Sequence, residues 1–289
     1  MNRRAADRPR HPSWIKVKLE TGEAFNRTKR VVQENRLHTV CEEARCPNRW
    51  ECWNQGTATF MILGGICTRS CGFCSVWTGR PEAADPDEPR RVGEAVKKLG
   101  IRHAVVTSVN RDELEDGGAE MFVRTVAEIR KRSPDCLVEL LIPDFQGSEE
   151  ALSAVVKSRP DVLNHNLETV PRLYSKVRPQ AKYTRSIELL SRSKRLGMVT
   201  KTGVMVGLGE TENEVEDVMK DLRSIGCDIL TIGQYLQPTR EHLTVVRYYR
   251  PEEFERLKAI GLKLGIPRVE SGPLVRSSYH AAEQAELFK

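Results

Sequence analysis

From residue 58 onward, short apolar or β-branched runs alternate with longer segments whose apolar residues recur every three or four positions. The runs at 58–63, 104–109, 137–142, 162–165, 200–206 and 229–232 predict strands. The segments at 91–99, 119–131, 149–157, 186–196, 212–225 and 251–264 predict helices. Strand and helix alternating at this spacing predict parallel strands joined by right-handed crossovers. Six such units are too few to close an eight-stranded barrel. The expected fold is therefore α/β: a partial, open TIM-type (β/α)6 barrel over residues 56–265. Residues 1–55 and 266–289 are expected to form N- and C-terminal extensions covering the barrel mouth.

Composition changes this picture little, since 39% hydrophobic and 30% charged residues is an ordinary globular balance. No apolar run approaches the roughly 18 residues a membrane span needs, so no membrane span is expected. Charge is more informative. The first 30 residues carry nine basic side chains, Arg3, Arg4, Arg8 and Arg10 among them, against Asp7, Glu20 and Glu23, and so hold the whole formal excess of +6. Such an arm is either a solvated tail or an attractor of anionic partners. Its prolines and Asp7 argue against an organelle-targeting peptide.

The chemistry concentrates in cysteine. Cys67, Cys71 and Cys74 form a C-x3-C-x2-C run, and Cys41, Cys46 and Cys52 a C-x4-C-x5-C run just upstream. Disulfides are the first bland alternative, but no signal-peptide pattern precedes the cysteines and a chain of 289 residues buries a core without staples. Zinc is the second, although its ligands come in fours and usually as repeated C-x2-C pairs. A triplet of soft thiolates suits an iron–sulfur cluster that leaves one iron open or takes a fourth ligand from elsewhere. Cys136 and Cys227 stand alone in apolar segments and read as small buried hydrophobes.

The run Cys67 to Cys74, with Phe73 before its last cysteine, resembles the cluster motif of the radical S-adenosylmethionine superfamily. With the second triplet and Arg276-Ser277-Ser278-Tyr279, the stretch from about Cys41 to Ala281 resembles the lipoyl synthase family within it. The resemblance implies two 4Fe-4S clusters and S-adenosyl-L-methionine as cofactors. Cys67, Cys71 and Cys74 would hold the catalytic cluster; Cys41, Cys46 and Cys52 would hold an auxiliary one. The auxiliary cluster's fourth ligand maps to Ser278, or alternatively Ser277, although a serine pair alone would read as a helix cap. The implied activity is a sulfurtransferase reaction of lipoate biosynthesis, placing sulfur at C6 and C8 of a protein-bound octanoyl-lysine and sacrificing the auxiliary cluster. A radical abstracts hydrogen from an unactivated carbon, which no ordinary side chain can do. Other radical sulfur-inserting enzymes, such as biotin synthase or a methylthiotransferase, would share only the first triplet.

In partial barrels of this kind the chemistry sits at the carboxyl ends of the strands. That rule, with the resemblance, selects Phe73, Asn110, Arg111, Glu168, Lys176, Arg178, Lys201, Gly203 and Gln237 as candidate S-adenosylmethionine contacts. Asp116-Gly117-Gly118-Ala119 reads as a helix start, and His165 as a hydrogen-bonded neighbour rather than a ligand. Trp50 and Trp53 read as core. The implied partners are octanoylated lipoyl carrier domains of 2-oxoacid dehydrogenases and the glycine-cleavage H protein, an electron donor such as ferredoxin or flavodoxin, and an iron–sulfur carrier protein, with no nucleic acid. Reduced thiols and oxygen-sensitive clusters imply a cytoplasmic enzyme.

Overall fold

All six expected strands form, each within a residue or two of its expected bounds. The computed structural model describes residues 11–17, 19 and 21–285, so Arg3, Arg4, Arg8 and Arg10 lie outside the described residues. The chain runs through α1 (Glu23–Glu34), β1 (His38–Thr39), α2 (Val40–Glu43), α3 (Arg49–Asn54), β2 (Thr59–Ile62), β3 (Ile66–Cys67) and β4 (Trp77–Thr78). It continues through α4 (Glu88–Leu99), β5 (His103–Ser108), α5 (Ala119–Arg132), β6 (Leu137–Leu141), α6 (Glu149–Lys157) and β7 (Val162–Asn164). The remainder is α7 (Tyr174–Val177), α8 (Tyr183–Arg195), β8 (Thr200–Val206), α9 (Glu212–Ser224), β9 (Ile229–Gln234), α10 (Pro251–Lys263), β10 (Arg268–Gly272) and α11 (Ala281–Ala285).

The main sheet has the order β1-β2-β5-β6-β7-β8-β9-β10. Every pair in it is parallel except β1 with β2. Parallel strands covered on both faces need continuous apolar sequence. β9 is fully buried and β5 and β8 nearly so, though threonines, His103, Lys201 and Gln234 interrupt the apolar run. Helix ends follow local chemistry. Ser148 accepts from the Ala151 amide at the start of α6, Thr211 and Glu214 form a reciprocal capping box on α9, and Gly100 closes α4 in the left-handed conformation.

Two strands of the main sheet were not expected, and each belongs to an extension; the two-residue strands β3 and β4, which pair with each other on either side of the first cysteine run, were not expected either. β1 is only two residues long, too short for any periodicity to show. β10, Arg268-Val-Glu-Ser-Gly, is half-polar and buries only Val269. The extensions therefore lengthen the sheet at both edges as well as bordering the barrel. The apolar core falls into two clusters. One joins β2, β5 and β6 to α1, α3, α4, α5 and α6, and the other joins β8 and β9 to α9 and α10. Among the described residues no helix is long and apolar enough to cross a membrane.

Candidate active site

The first thiol triplet leaves the carboxyl end of β2 through a Gly64-Gly65 turn. Buried Glu88, on α4, accepts from the Leu63 amide at 2.7 Å and fixes that turn, where Gly64 has φ +84°. Cys67 ends β3, and its Sγ accepts from the amides of Arg69 (3.4 Å) and Asn110 (3.3 Å). Two N–H donors aimed at one sulfur fix the direction in which it points. Burial pushes the thiol of Cys74 up to about 12 and raises that of Cys71, the latter opposed by the charge of Arg178. Binding of iron to such thiols would displace their protons to solvent, so cluster binding is coupled to proton release.

The loop is clamped from three sides. Arg69, 4% exposed, donates to both oxygens of Asp112 (2.6 and 2.7 Å) after β5 and to Asp144 (2.6 Å) after β6. Gly72 donates to the Val177 carbonyl and accepts from the Leu243 amide, each at 3.0 Å. A Cβ there would sit 2.9 Å from Leu243 Cγ, so the position requires glycine. His242 Nε2 donates to the Cys74 carbonyl at 2.9 Å.

The candidate contacts fall into two groups. Around Cys71, Glu168 projects from a left-handed residue (φ +66°) whose backbone pairs with Gly203 and Met205 of β8. Burial raises its carboxyl while the charge of Arg178 opposes the rise. Arg178 is buried, donates to the carbonyls of Asn166 (2.6 Å) and Leu167 (3.3 Å), and leaves its Nε without a partner. At Gly203 an added Cβ would lie 2.8 Å from Thr231 Oγ1 and 2.9 Å from Asn166 Oδ1, so the protein's own side chains close on the strand here and only glycine fits. Phe73 packs on the second core cluster. Asn110 supplies backbone groups, to Cys67 Sγ and Thr68.

The other group has protein partners. Arg111 is held by Glu113 and by the carbonyls of Leu63 and Glu82. Gln237 Nε2 donates to the His242 carbonyl. Lys176 is exposed on α7. Lys201, near the amino end of β8, is fully buried against Glu139 (2.9 Å), which also accepts from Asn164. Asp116 does cap its helix, accepting from the amides of Gly118 and Glu120. His165 hydrogen-bonds the Ile142 carbonyl and Ser186, and burial pulls its pKa down to about 4.

The second triplet occupies the other end of β2. Cys41 lies on α2 and Cys52 on α3, and the Cys46 amide closes the turn onto the Cys41 carbonyl at 3.2 Å. Burial pushes Cys41 and Cys52 up to about 12 and raises Cys46, where Arg276 and Arg49 pull the other way. These three thiols share a cavity of about 240 Å³ with Arg276 and Ser278 and with Thr59 and His103, the first residues of β2 and β5. Ser277 points elsewhere, its Oγ accepting from Asn166 Nδ2 at 3.3 Å. At about 3.3 Å per residue, the four residues of β2 separate the two triplets by roughly 13 Å along the strand. Among the described residues no three His, Cys, Asp or Glu side chains converge on a single ion position. Thiols ranged round a cavity suit a polynuclear cluster instead.

Comparison with known proteins decides the family. Residues 61–222 match the radical SAM superfamily, and residues 1–46 match the N-terminal domain of lipoyl synthase. The chain is 60% identical over 284 residues to the lipoyl synthase of Rubrobacter xylanophilus, covering 97% of this chain and 88% of that one. The chain belongs to the lipoyl synthase family. The lipoyl synthase of Chlorobaculum parvum is 56% identical, with 93% of each chain covered. Solved structures agree on the fold. SuiB of Streptococcus suis bound to S-adenosylmethionine superposes with a TM-score of 0.59 at 12% identity, over 78% of this chain and 55% of that one. A methylornithine synthase gives 0.53 at 13%, over 88% and 80%. As a member of the lipoyl synthase family the chain is a radical S-adenosylmethionine sulfurtransferase that uses two 4Fe-4S clusters and inserts two sulfur atoms into a protein-bound octanoyl chain.

In this lipoyl synthase-family chain, sequence reasoning missed Arg69, Asp112 and Asp144, the ion-pair clamp on the first triplet, and Glu51, Asn48 and His280, which anchor the second. The one available signal was the basic residue inside a cysteine loop, and it names no partner.

Proposed function

We propose that Cys67, Cys71 and Cys74 hold the cluster that cleaves S-adenosylmethionine, and that Cys41, Cys46, Cys52 and Ser278 hold the auxiliary cluster that yields sulfur. The observation that carries this division is that Ser278 lines the same cavity as the upstream triplet. Residues 1–55, 56–265 and 266–289 then act as auxiliary-thiol extension, radical barrel and serine-bearing extension.

Bound at the first triplet, cluster and S-adenosylmethionine supply a 5′-deoxyadenosyl radical able to take hydrogen from an unactivated carbon. The protein's part is placement. Arg178, with its free Nε and its charge beside Cys71, is suited to the cofactor carboxylate; Glu168 accepts from ribose hydroxyls; the Gly203 backbone receives the adenine edge. Asn110, Arg111, Lys176 and Gln237 shape this rim through their protein partners or stand at its edge, and Lys201 lies below it, paired with Glu139. The octanoyl chain lies between the two ends of β2, where Arg276 exerts its charge on both Cys46 and Glu168. Such placement would hold the reacting carbon within range of the radical.

The substrate is an octanoylated lipoyl domain of a 2-oxoacid dehydrogenase or the glycine-cleavage H protein. Electrons come from a ferredoxin or flavodoxin, and iron and sulfide from a carrier protein, in the cytoplasm. Anaerobic reconstitution with metal and sulfide analysis tests the assignment. Wild type should bind about eight irons, two cubes' worth, and each triplet's Cys→Ala variants about four. Four irons in wild type, or bound zinc, would overturn it.

A further inference from the structure

The second triplet has two openings. The inner cavity, with Ser278, faces the barrel. A separate cleft of about 280 Å³ reaches Cys41 and Cys46 from outside, between Val17, Glu42, Arg45, Pro47, Arg49 and Trp50. Only Cys41 and Cys46 line both; Cys52 and Ser278 line the inner cavity alone. The octanoyl chain and the radical occupy the barrel side, so the outer cleft has no part in sulfur insertion.

Its rim has the character of a protein contact. Arg45 is exposed, held at φ +50°, and forms no ion pair among the described residues. Arg49 is pinned over the rings of Trp50 (5.0 Å) and Trp53 (5.7 Å), and Trp50 in turn stacks on Phe25 at 4.9 Å. Two guanidinium groups thus face one carboxylate, Glu42. Val17 adds an apolar edge, 39% exposed, in a segment where Leu19 is 73% exposed. Fixed positive charge beside exposed aliphatic surface fits an acidic protein partner with an apolar contact of its own.

We infer that this outer cleft is the port through which an acidic iron–sulfur carrier protein rebuilds the second cluster. The inference rests on the proposed assignment of that cluster. Each product removes two sulfur atoms from it, so a further turnover requires iron and sulfide to return, and a route that avoids the occupied barrel is the outer cleft. The transfer is a ligand exchange with no net oxidation or reduction. Each thiol or hydroxyl of this chain that binds iron gives up a proton, and each carrier thiolate that lets go takes one up.

The test uses the full-length enzyme after one anaerobic round of turnover, desalted and offered a bacterial 4Fe-4S carrier protein loaded with 57Fe. Mössbauer spectroscopy of the repurified enzyme reads the transferred iron without reference to activity. Arg45→Asp, which keeps a residue tolerant of the left-handed backbone, and separately Val17→Asp, should slow transfer about ten-fold at low salt. The Arg45 difference should shrink at 0.5 M salt. Rebuilding from 57Fe ions and sulfide alone should match wild type. Wild-type transfer rates in both variants would overturn the port. Parallel losses with carrier and with free ions would overturn it too, by showing that the rim shapes the site itself. If wild-type enzyme loses no sulfide during turnover, the sacrificial assignment fails instead.

Discussion

Tyr279 donates its hydroxyl to the carboxylate of Glu51 at 3.0 and 3.1 Å, across 228 positions of sequence. Each is the immediate neighbour of a proposed cluster ligand, Ser278 and Cys52. His280 adds a contact to the same carboxylate at 3.1 Å, and Asn48 donates to the Leu274 carbonyl at 2.7 Å. The serine is thereby held against the thiols by groups that never touch iron.

Tyr279→Phe tests that clip. The bond is half-exposed, so its loss should cost about 1 kcal/mol or less of global stability. Its effect should be local: the auxiliary cluster should be lost several-fold faster on dilution into chelator while the radical cluster is retained. Iron release followed by electron paramagnetic resonance reads the two separately.

The triplets should have separable duties. Ala at Cys67, Cys71 or Cys74 should abolish deoxyadenosine formation. Ala at Cys41, Cys46 or Cys52 should leave it measurable while ending sulfur insertion. Lipoyl product from an auxiliary-triplet variant would sink the sulfur-donor role.

Ser278→Cys would replace the proposed hard oxygen ligand by a softer thiolate. It should keep a two-cluster spectrum and slow product formation at least ten-fold, since a tighter ligand resists release. Ser277→Ala removes only the acceptor of the Asn166 bond and should turn over within about two-fold of wild type.

Much of this was legible in the sequence. The six barrel strands announce themselves because strands buried on both faces are rich in apolar and β-branched residues, and the cysteines because their spacing is chemistry by itself. β1 and β10 were hidden: one is two residues long, and the other owes its place to pairing along the edge of β9 rather than to its own pattern. The clamp on the first triplet was invisible for a different reason. Arg69 meets Asp112 43 residues away and Asp144 75 residues away, and nothing local marks which acid an arginine will find. The partner of Lys201 was hidden in the same way, since Glu139 stands on β6, 62 residues away.

Arg69→Ala should leave Asp144, 1% exposed, without its main counter-charge, at a cost of about 3–5 kcal/mol. Burial alone would push the Asp144 carboxyl up, but the hydrogen bond and charge of Arg69 hold it well below the ordinary range. A depressed carboxyl stabilises the fold above its unfolded value of about 3.9 and loses that contribution as pH falls towards the folded value. Wild type should therefore weaken steeply below about pH 4, and Arg69→Ala should flatten that limb. Urea denaturation at stepped pH measures both.

Lys201→Met strands the buried Glu139 and should destabilise by about 3–5 kcal/mol, whereas Lys201→Met with Glu139→Leu should recover most of the loss. If the double variant keeps its fold but no longer cleaves S-adenosylmethionine, the pair has a role beyond packing. Thermal melts and deoxyadenosine yield distinguish the outcomes.

The clip between Tyr279 and Glu51 also sets a timetable. The first triplet spans eight consecutive residues on one loop, so a chain still under construction can gather its three sulfurs as soon as β2 and its neighbours are in place. With Ser278 as its proposed fourth ligand, the second cannot be completed until the whole barrel between Glu51 and Tyr279 has been made and folded, because that residue arrives from the far side. During that interval Cys41, Cys46 and Cys52 are free thiols without their cover, open to oxidation and to stray metal. Maturation of this protein therefore has an order, and its most vulnerable moment comes before the last segment is laid down.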